Sequence, residues 1–136
     1  MKILEILTEK RKTGNIGENA AAKFLKKNGY KILKRNFVAL GYEIDIIACN
    51  SEYIIFCEVK ARSSVQKNPN EPRPASAVTR EKQKKIITAS KFYNSDIKFG
   101  RKTRFDIIEV LLDAKKAVKD ICHLEGAFTA DTAYRK

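Results

Sequence analysis

Two carboxylates and an amine stand at the open end of what reads as a buried β-hairpin. They are Asp45 in Glu43-Ile-Asp45-Ile-Ile, and Glu58 and Lys60 in Phe56-Cys-Glu58-Val-Lys60. Ile44, Ile46, Ile47, Ile54, Ile55, Phe56 and Val59 fall on both sides of the two strands, a pattern that belongs to a sheet covered on both faces. An ionised carboxylate at the rim of such a sheet is costly to desolvate unless something compensates it. With a tight turn at Asn50-Ser51, Cys49 faces Glu52 and Asp45 lies opposite Phe56. Side chains alternate, so Phe56, Glu58, Lys60 and Asp45 share one face, and Asp45 is the diagonal neighbour of Glu58. Two chemistries fit that arrangement. One is a set of oxygen ligands for a hard divalent cation such as Mg²⁺, with a lysine alongside. The other is a surface ion pair of Asp45 or Glu58 with Lys60 or Arg62.

Other elements must hold these groups. Asn15-Ile-Gly-Glu18, followed by an alanine-rich run to Gly29, predicts a helix with a polar start and a glycine stop. Ile16, Ala20 and Phe24, with Ala21 and Leu25 beside them, form its inward stripe, and Glu18 takes the position of a capping-box acid. Residues 30–37 read as a first strand, with Lys31, Lys34 and Arg35 around Ile32 and Leu33. Residues 63–75, rich in Ser, Asn and Pro, read as a loop. Thr79 caps a second helix from Arg80 to about Tyr93, on which Lys82 extends the inward stripe of Ile86, Ala89 and Tyr93, with Gln83 beside it. A lysine in the first turn opposes the helix dipole and is better placed if an anion docks there. Residues 104–112 form another buried strand, parallel to the Glu58 strand because a helix intervenes, and residues 118–124 add a short last one.

The 136 residues suffice for one domain with one core. The balance of 28 Lys and Arg against 16 Asp and Glu, a net charge of +12, calls for a polyanionic partner, and nucleic acid suits it. No basic amphipathic helix with bulky apolar residues favours a membrane surface, and the N-terminus lacks the apolar core of a signal peptide. Cys49, Cys57 and Cys122 read as unbridged thiols of a cytoplasmic protein. His123, the single histidine, has no ligand residues clustered around it in the sequence, which speaks against a zinc site or a histidine-based triad.

Taken in order, Gly14-x-x-Gly17-Glu18, Ala21, Phe24-Leu25, Gly29-Tyr30, Asn36, Glu43-Ile-Asp45-Ile-Ile-Ala48, Phe56-x-Glu58-Val-Lys60-x-Arg62, Lys82-Gln83, Arg104-Phe-Asp106 and His123-Leu-Glu-Gly-Ala-Phe128 resemble the YraN-like family of predicted endonucleases. That family is similar to archaeal Holliday junction resolvases within the restriction-endonuclease-like, PD-(D/E)xK superfamily. The resemblance implies an α/β fold with a mixed central sheet and flanking helices in the order α-β-β-β-α-β. It implies a single domain over residues 14–128, with extensions at 1–13 and 129–136. Asp45, Glu58 and the Val59 carbonyl become ligands of Mg²⁺ or Mn²⁺, and Glu18 completes the acidic cluster. Lys60 becomes the group that orients or activates water, and Lys82 and Gln83 become phosphate or water contacts, with Arg62 and Arg35 as further nucleic-acid contacts. Ile44 stands where the superfamily name has proline, and Tyr42 separates Gly41 from Glu43 where the family usually has them adjacent.

The expected function is a metal-dependent nuclease acting on DNA in preference to RNA, with branched or nicked DNA as candidate substrates. Resolvase-like cutting of two strands would call for a homodimer. The competing expectation is a non-catalytic, basic nucleic-acid-binding module on the same fold. Acids facing a polyanion repel it, so a pure binder has no physical reason to carry them.

Overall fold

A computed structural model of the chain describes residues 3–63, 78–93 and 100–135, without the side chains of residues 6, 7, 9 and 10. Its elements are α1 (Ile3–Lys27), β1 (Lys31–Ala39), β2 (Tyr42–Cys49), β3 (Tyr53–Ser63), α2 (Arg80–Ser90), β4 (Lys102–Leu112), β5 (Val118–Phe128) and a short α3 (Ala130–Ala133). The strands form one sheet in the order β1-β2-β3-β4-β5, antiparallel except for the β3–β4 pair. The mixed α/β architecture and the parallel β3–β4 pair are as expected. Beyond the expected order, β5 is a full edge strand, longer than the short segment anticipated. Residues 64–77, which include nearly all of the expected loop, lie outside the described residues.

Alternation along the central strands divides the core into two layers. On one face Ala21, Ala22 and Leu25 of α1 pack on Ile46, Ala48, Ile55, Cys57, Ile108 and Val110. On the other, Ile86, Ile87 and Ala89 of α2 pack on Ile44, Ile47, Ile54, Phe56 and Ile107. Phe56, Phe105 and Phe128 extend that second layer as neighbouring rings. The C-terminal residues are integrated too: Thr129 caps α3 with a capping box, and Ala133 is buried in the α2 layer.

Helix α1 begins twelve residues before the expected cap at Asn15 and runs through it without a break. Glu18 is therefore inside a helix, and the capping role is gone. Gly17 explains why the helix tolerates a glycine there. A Cβ at that position would sit 2.6 Å from Cβ of Ala61 on β3, closer than real side chains approach. The missing methyl lets α1 lie directly on the strand that carries Glu58 and Lys60.

The central hairpin differs from its expected register by two residues. Asn50 Oδ1 accepts from the N–H groups of Glu52 and Tyr53, and Asn50 N–H donates to the Tyr53 carbonyl. This side-chain turn puts the two-residue loop at Ser51-Glu52 and pairs Cys49 with Ile54, not with Glu52. A shift of two preserves the face of every paired residue. The ladder ends at Ile46–Cys57, and Asp45 and Glu58 are the next residues beyond it on their strands.

Beta-strand alternation breaks at Asp45. Ile44 and Ile46 are two residues apart, yet they pack into opposite layers. Across from this point, between the pairs Arg35–Ile46 and Phe37–Ile44, Asn36 has a left-handed backbone at φ 55°. Asparagine tolerates that conformation better than most residues. Among the described residues, no helix is long and apolar enough to cross a membrane.

Candidate metal centre

The break in β2 delivers three acids to one place. Oxygens of Glu18 from α1 and of Glu43 and Asp45 from β2 lie within 4.8 Å of one another. Asn36, opposite Asp45, joins two of them: its side-chain amide sits 2.9 Å from both Glu18 Oε1 and Glu43 Oε1, with its nitrogen turned toward them. The strained backbone of Asn36 thus has a use, because it aims a donor between two carboxylates.

Asp45 is anchored from β3, where the Val59 N–H donates to Oδ2 across 2.8 Å. Burial, the charge on Glu58, and then Glu18 and Glu43 push its pKa up to about 8, against the pull of the Val59 hydrogen bond. Glu18 is raised as well, first by burial, with Arg35 opposing and Glu43 and Glu58 adding to it. Glu58 is only 7% exposed and is held from two sides. Tyr42 donates its hydroxyl to Oε2 at 3.2 Å, and Lys60 Nζ lies 3.3 Å from Oε1. Burial and the neighbouring Glu58 drive the Tyr42 phenol well above its ordinary range, so it remains a donor.

Two amines flank the acids. Burial disfavours charge on Lys60, but its hydrogen bond with Lys82 and its contacts with Glu58 carry its pKa upward. Lys82 moves the other way, lowered by that same hydrogen bond, by burial and by the positive charge of Lys60. Lys82 reaches this position because Thr79 accepts from its main-chain N–H and starts α2 there, as expected. Gln83 is directed elsewhere: its amide nitrogen donates to the Val78 carbonyl at 3.1 Å. Arg35 stands near Glu18, with its Nε buried and without a hydrogen-bond partner. Arg62 follows one turn of the pleat beyond Lys60, at intermediate exposure.

The structure therefore brings together Glu18, Asp45, Glu58, Lys60 and Lys82, with Arg35 at the margin. Reasoning from sequence did not give Glu43, Asn36 or Tyr42 a role. For Asn36 the available signal was a turn-forming residue in the middle of a strand. For Tyr42 it was the departure from the family pattern at that position. A hard divalent cation fits the donor set, which is all carboxylate oxygen. Burial first, and then the negative charge of Glu58, Glu18 and Glu43, raise the pKa of Asp45, and a cation would relieve both. Glu18, Glu43 and Asp45 would hold such an ion, with Glu58 beside them.

A second polar knot lies along β4. Asp106, fully buried, accepts from Arg104 Nε and Nη2 at 2.8 Å each, from His123 Nε2 at 2.7 Å and from the Gly126 N–H at 3.0 Å. Arg104 also donates to Tyr30 Oη at 2.7 Å and stacks on the Tyr53 ring. Burial alone would raise the Asp106 pKa, but the hydrogen bonds from His123, Arg104 and Gly126 outweigh it and hold the group ionised. This knot ties β4 and β5 to the end of α1, a structural task.

Residues 17–110 match the model of a family described as "Uncharacterised protein family UPF0102". A UPF0102 protein of Caldanaerobacter subterraneus is 41% identical over 121 residues, covering 88% of this chain and 96% of that protein. One from Clostridium acetobutylicum is 42% identical over 119 residues, covering 87% and 94%. Another, from Clostridium perfringens, is 44% identical over 117 residues, covering 85% and 92%.

Proposed function

The chain belongs to family UPF0102, and we propose that it is a metal-dependent nuclease that hydrolyses phosphodiester bonds of nucleic acid, DNA in preference to RNA. One observation carries this reading: Glu18, Glu43 and Asp45 converge from two elements while Glu58, Lys60 and Lys82 stand against them. A structural role leaves the convergence unexplained, since like charges repel and no cap or ion pair needs three acids together. The placement of Asp45 and Glu58-Val59-Lys60 on adjacent strands supports assignment to the restriction-endonuclease-like, PD-(D/E)xK superfamily.

Mg²⁺ or Mn²⁺ bound by the acids would supply an acidified water and shield charge on the phosphoryl oxygens. The protein's own groups do the rest. Lys60, kept charged by Glu58, neutralises the phosphate and orients water. Lys82, whose proton is held less firmly than an ordinary lysine's, stands beside it as a further contact for phosphate or water. Arg35 and the net charge of +12 draw the polyanion to the acidic centre, which would otherwise repel it. Three free thiols accord with a cytoplasmic setting, and cutting both strands of a duplex would need a second copy of the chain.

The test is incubation with branched, nicked, linear and single-stranded DNA in Mg²⁺, Mn²⁺ or EDTA. Cleavage that needs the metal and disappears in Glu58→Ala, with DNA binding retained, supports the nuclease. Metal-indifferent binding without cleavage of any substrate would replace it with the non-catalytic module.

A further inference from the structure

A small apolar groove lies beside the acidic centre, between the β1–β2 turn and α2. It is lined by Ala39, Leu40, Tyr42, Lys84, Lys85 and Thr88 and has a volume of about 160 Å³. That is well below the size of a drug-like pocket, on the order of 300 Å³ and upward, and suits a single ring system. Leu40 is 72% exposed at the apex of the turn. With Leu40 at φ 51° and Gly41 at φ 75°, the turn has the two left-handed residues of a tight hairpin, so the leucine is held out by a rigid backbone.

We infer that this groove receives one unpaired base of a DNA strand whose neighbouring phosphate lies at the acidic centre. Three features select that occupant. The lining is apolar, as the face of a base requires. Exposed Lys85, and Lys84 with its ammonium 5.1 Å from the Tyr134 ring centroid, bring positive charge to the side of the groove, complementary to the phosphates on either side of a base. Tyr42 belongs to both sites, lining the groove while its hydroxyl holds Glu58. A base stacked in a duplex cannot enter a groove of this size, so the inference specifies a strand unpaired next to the cleaved bond. It rests on the reading of the chain as a protein that acts on nucleic acid.

The experiment is a binding measurement in EDTA, where no cleavage can occur. Fluorescence anisotropy compares a labelled oligothymidine with an abasic strand of the same length and charge. The expected result is about tenfold weaker binding of the abasic strand. Leu40→Asn keeps a residue that accepts positive φ, and Thr88→Trp fills the groove. Each should lower oligothymidine affinity to the abasic level while leaving abasic affinity unchanged, which also shows that the variants fold. Equal binding of both strands by the parent protein overturns the inference, and so does a base preference that survives both substitutions. Metal-dependent cleavage without base preference would sink the groove and leave the nuclease standing. Base preference without cleavage would do the reverse.

Discussion

The main-chain N–H of Val59 donates to Oδ2 of Asp45 across 2.8 Å, so the strand bearing Glu58 and Lys60 fixes the acid that faces it. This bond favours the ionised carboxylate, yet burial and three neighbouring acids prevail and raise Asp45 to about 8. Binding a divalent ion must then expel a proton at neutral pH. Apparent affinity for Mg²⁺ or Mn²⁺ should rise as pH increases toward 8 and level off above it. Calorimetry in buffers of different ionisation enthalpy should register that proton. The sign for metal-free stability is opposite. A carboxyl with a raised folded-state pKa contributes stability that is full below about 4 and is lost as pH climbs through 8. Added metal should restore the loss, and urea unfolding at pH 6 and 9 with and without Mg²⁺ checks it.

Tyr42→Phe removes the hydroxyl that Glu58 Oε2 accepts from and changes little else. A hydrogen bond to a charged group contributes roughly 1.5–3 kcal/mol. Metal-dependent cleavage should fall by about tenfold, with the circular dichroism spectrum unchanged. An unaltered rate would show that the phenol does not position Glu58.

Gly17→Ala improves helix propensity but places a methyl against Ala61. Overpacking of this kind costs roughly 1–3 kcal/mol, more than the propensity gain of about 1 kcal/mol. The substitution should lower the thermal midpoint and weaken metal binding by moving Glu18. Adding Ala61→Gly should recover metal affinity, since it removes the methyl that the new one meets. Thermal melts and metal titrations of the single and double variants decide it.

Asp106 titrates in the opposite direction from Asp45. Its folded pKa lies below the ordinary carboxylate value, so its contribution is present above about 4 and is lost as acid protonates it. Asp106→Asn takes from half-buried Arg104 its closest counter-charge, leaving only the exposed Glu125 at 3.8 Å, and should cost about 1.5–3 kcal/mol at neutral pH. The variant's stability should also fall less steeply between pH 4 and pH 2, measured by urea unfolding across that range.

Much of this architecture could be read from residue pattern. The apolar runs around Asp45 and Glu58 required a sheet covered on both sides, and Thr79 marked the start of α2. Alternation kept Phe56, Glu58 and Lys60 on one face through a misplaced turn, because the error was an even number of residues. Asp45, by contrast, sits where the alternation of β2 breaks. The turn itself was misread because the Asn50 side chain forms bonds that its residue type permits but does not require. The start of α1 was hidden by two glycines and an asparagine that resembled a cap. Its true extent depends on a contact with β3, and tertiary contacts leave no local trace. Glu43 and Asn36 were missed for a similar reason. Strict alternation cannot foresee the break at Asp45 that brings them to the centre.

That break also divides responsibility along one strand. Ile44 answers to the layer beneath α2 and Ile46 to the layer beneath α1, with the acid between them. The apolar side chains of the outer half of β2, Tyr42 and Ile44, thus pack with α2 and not with α1. A substitution at either should therefore disturb the layer beneath α2 before it reaches the layer beneath α1.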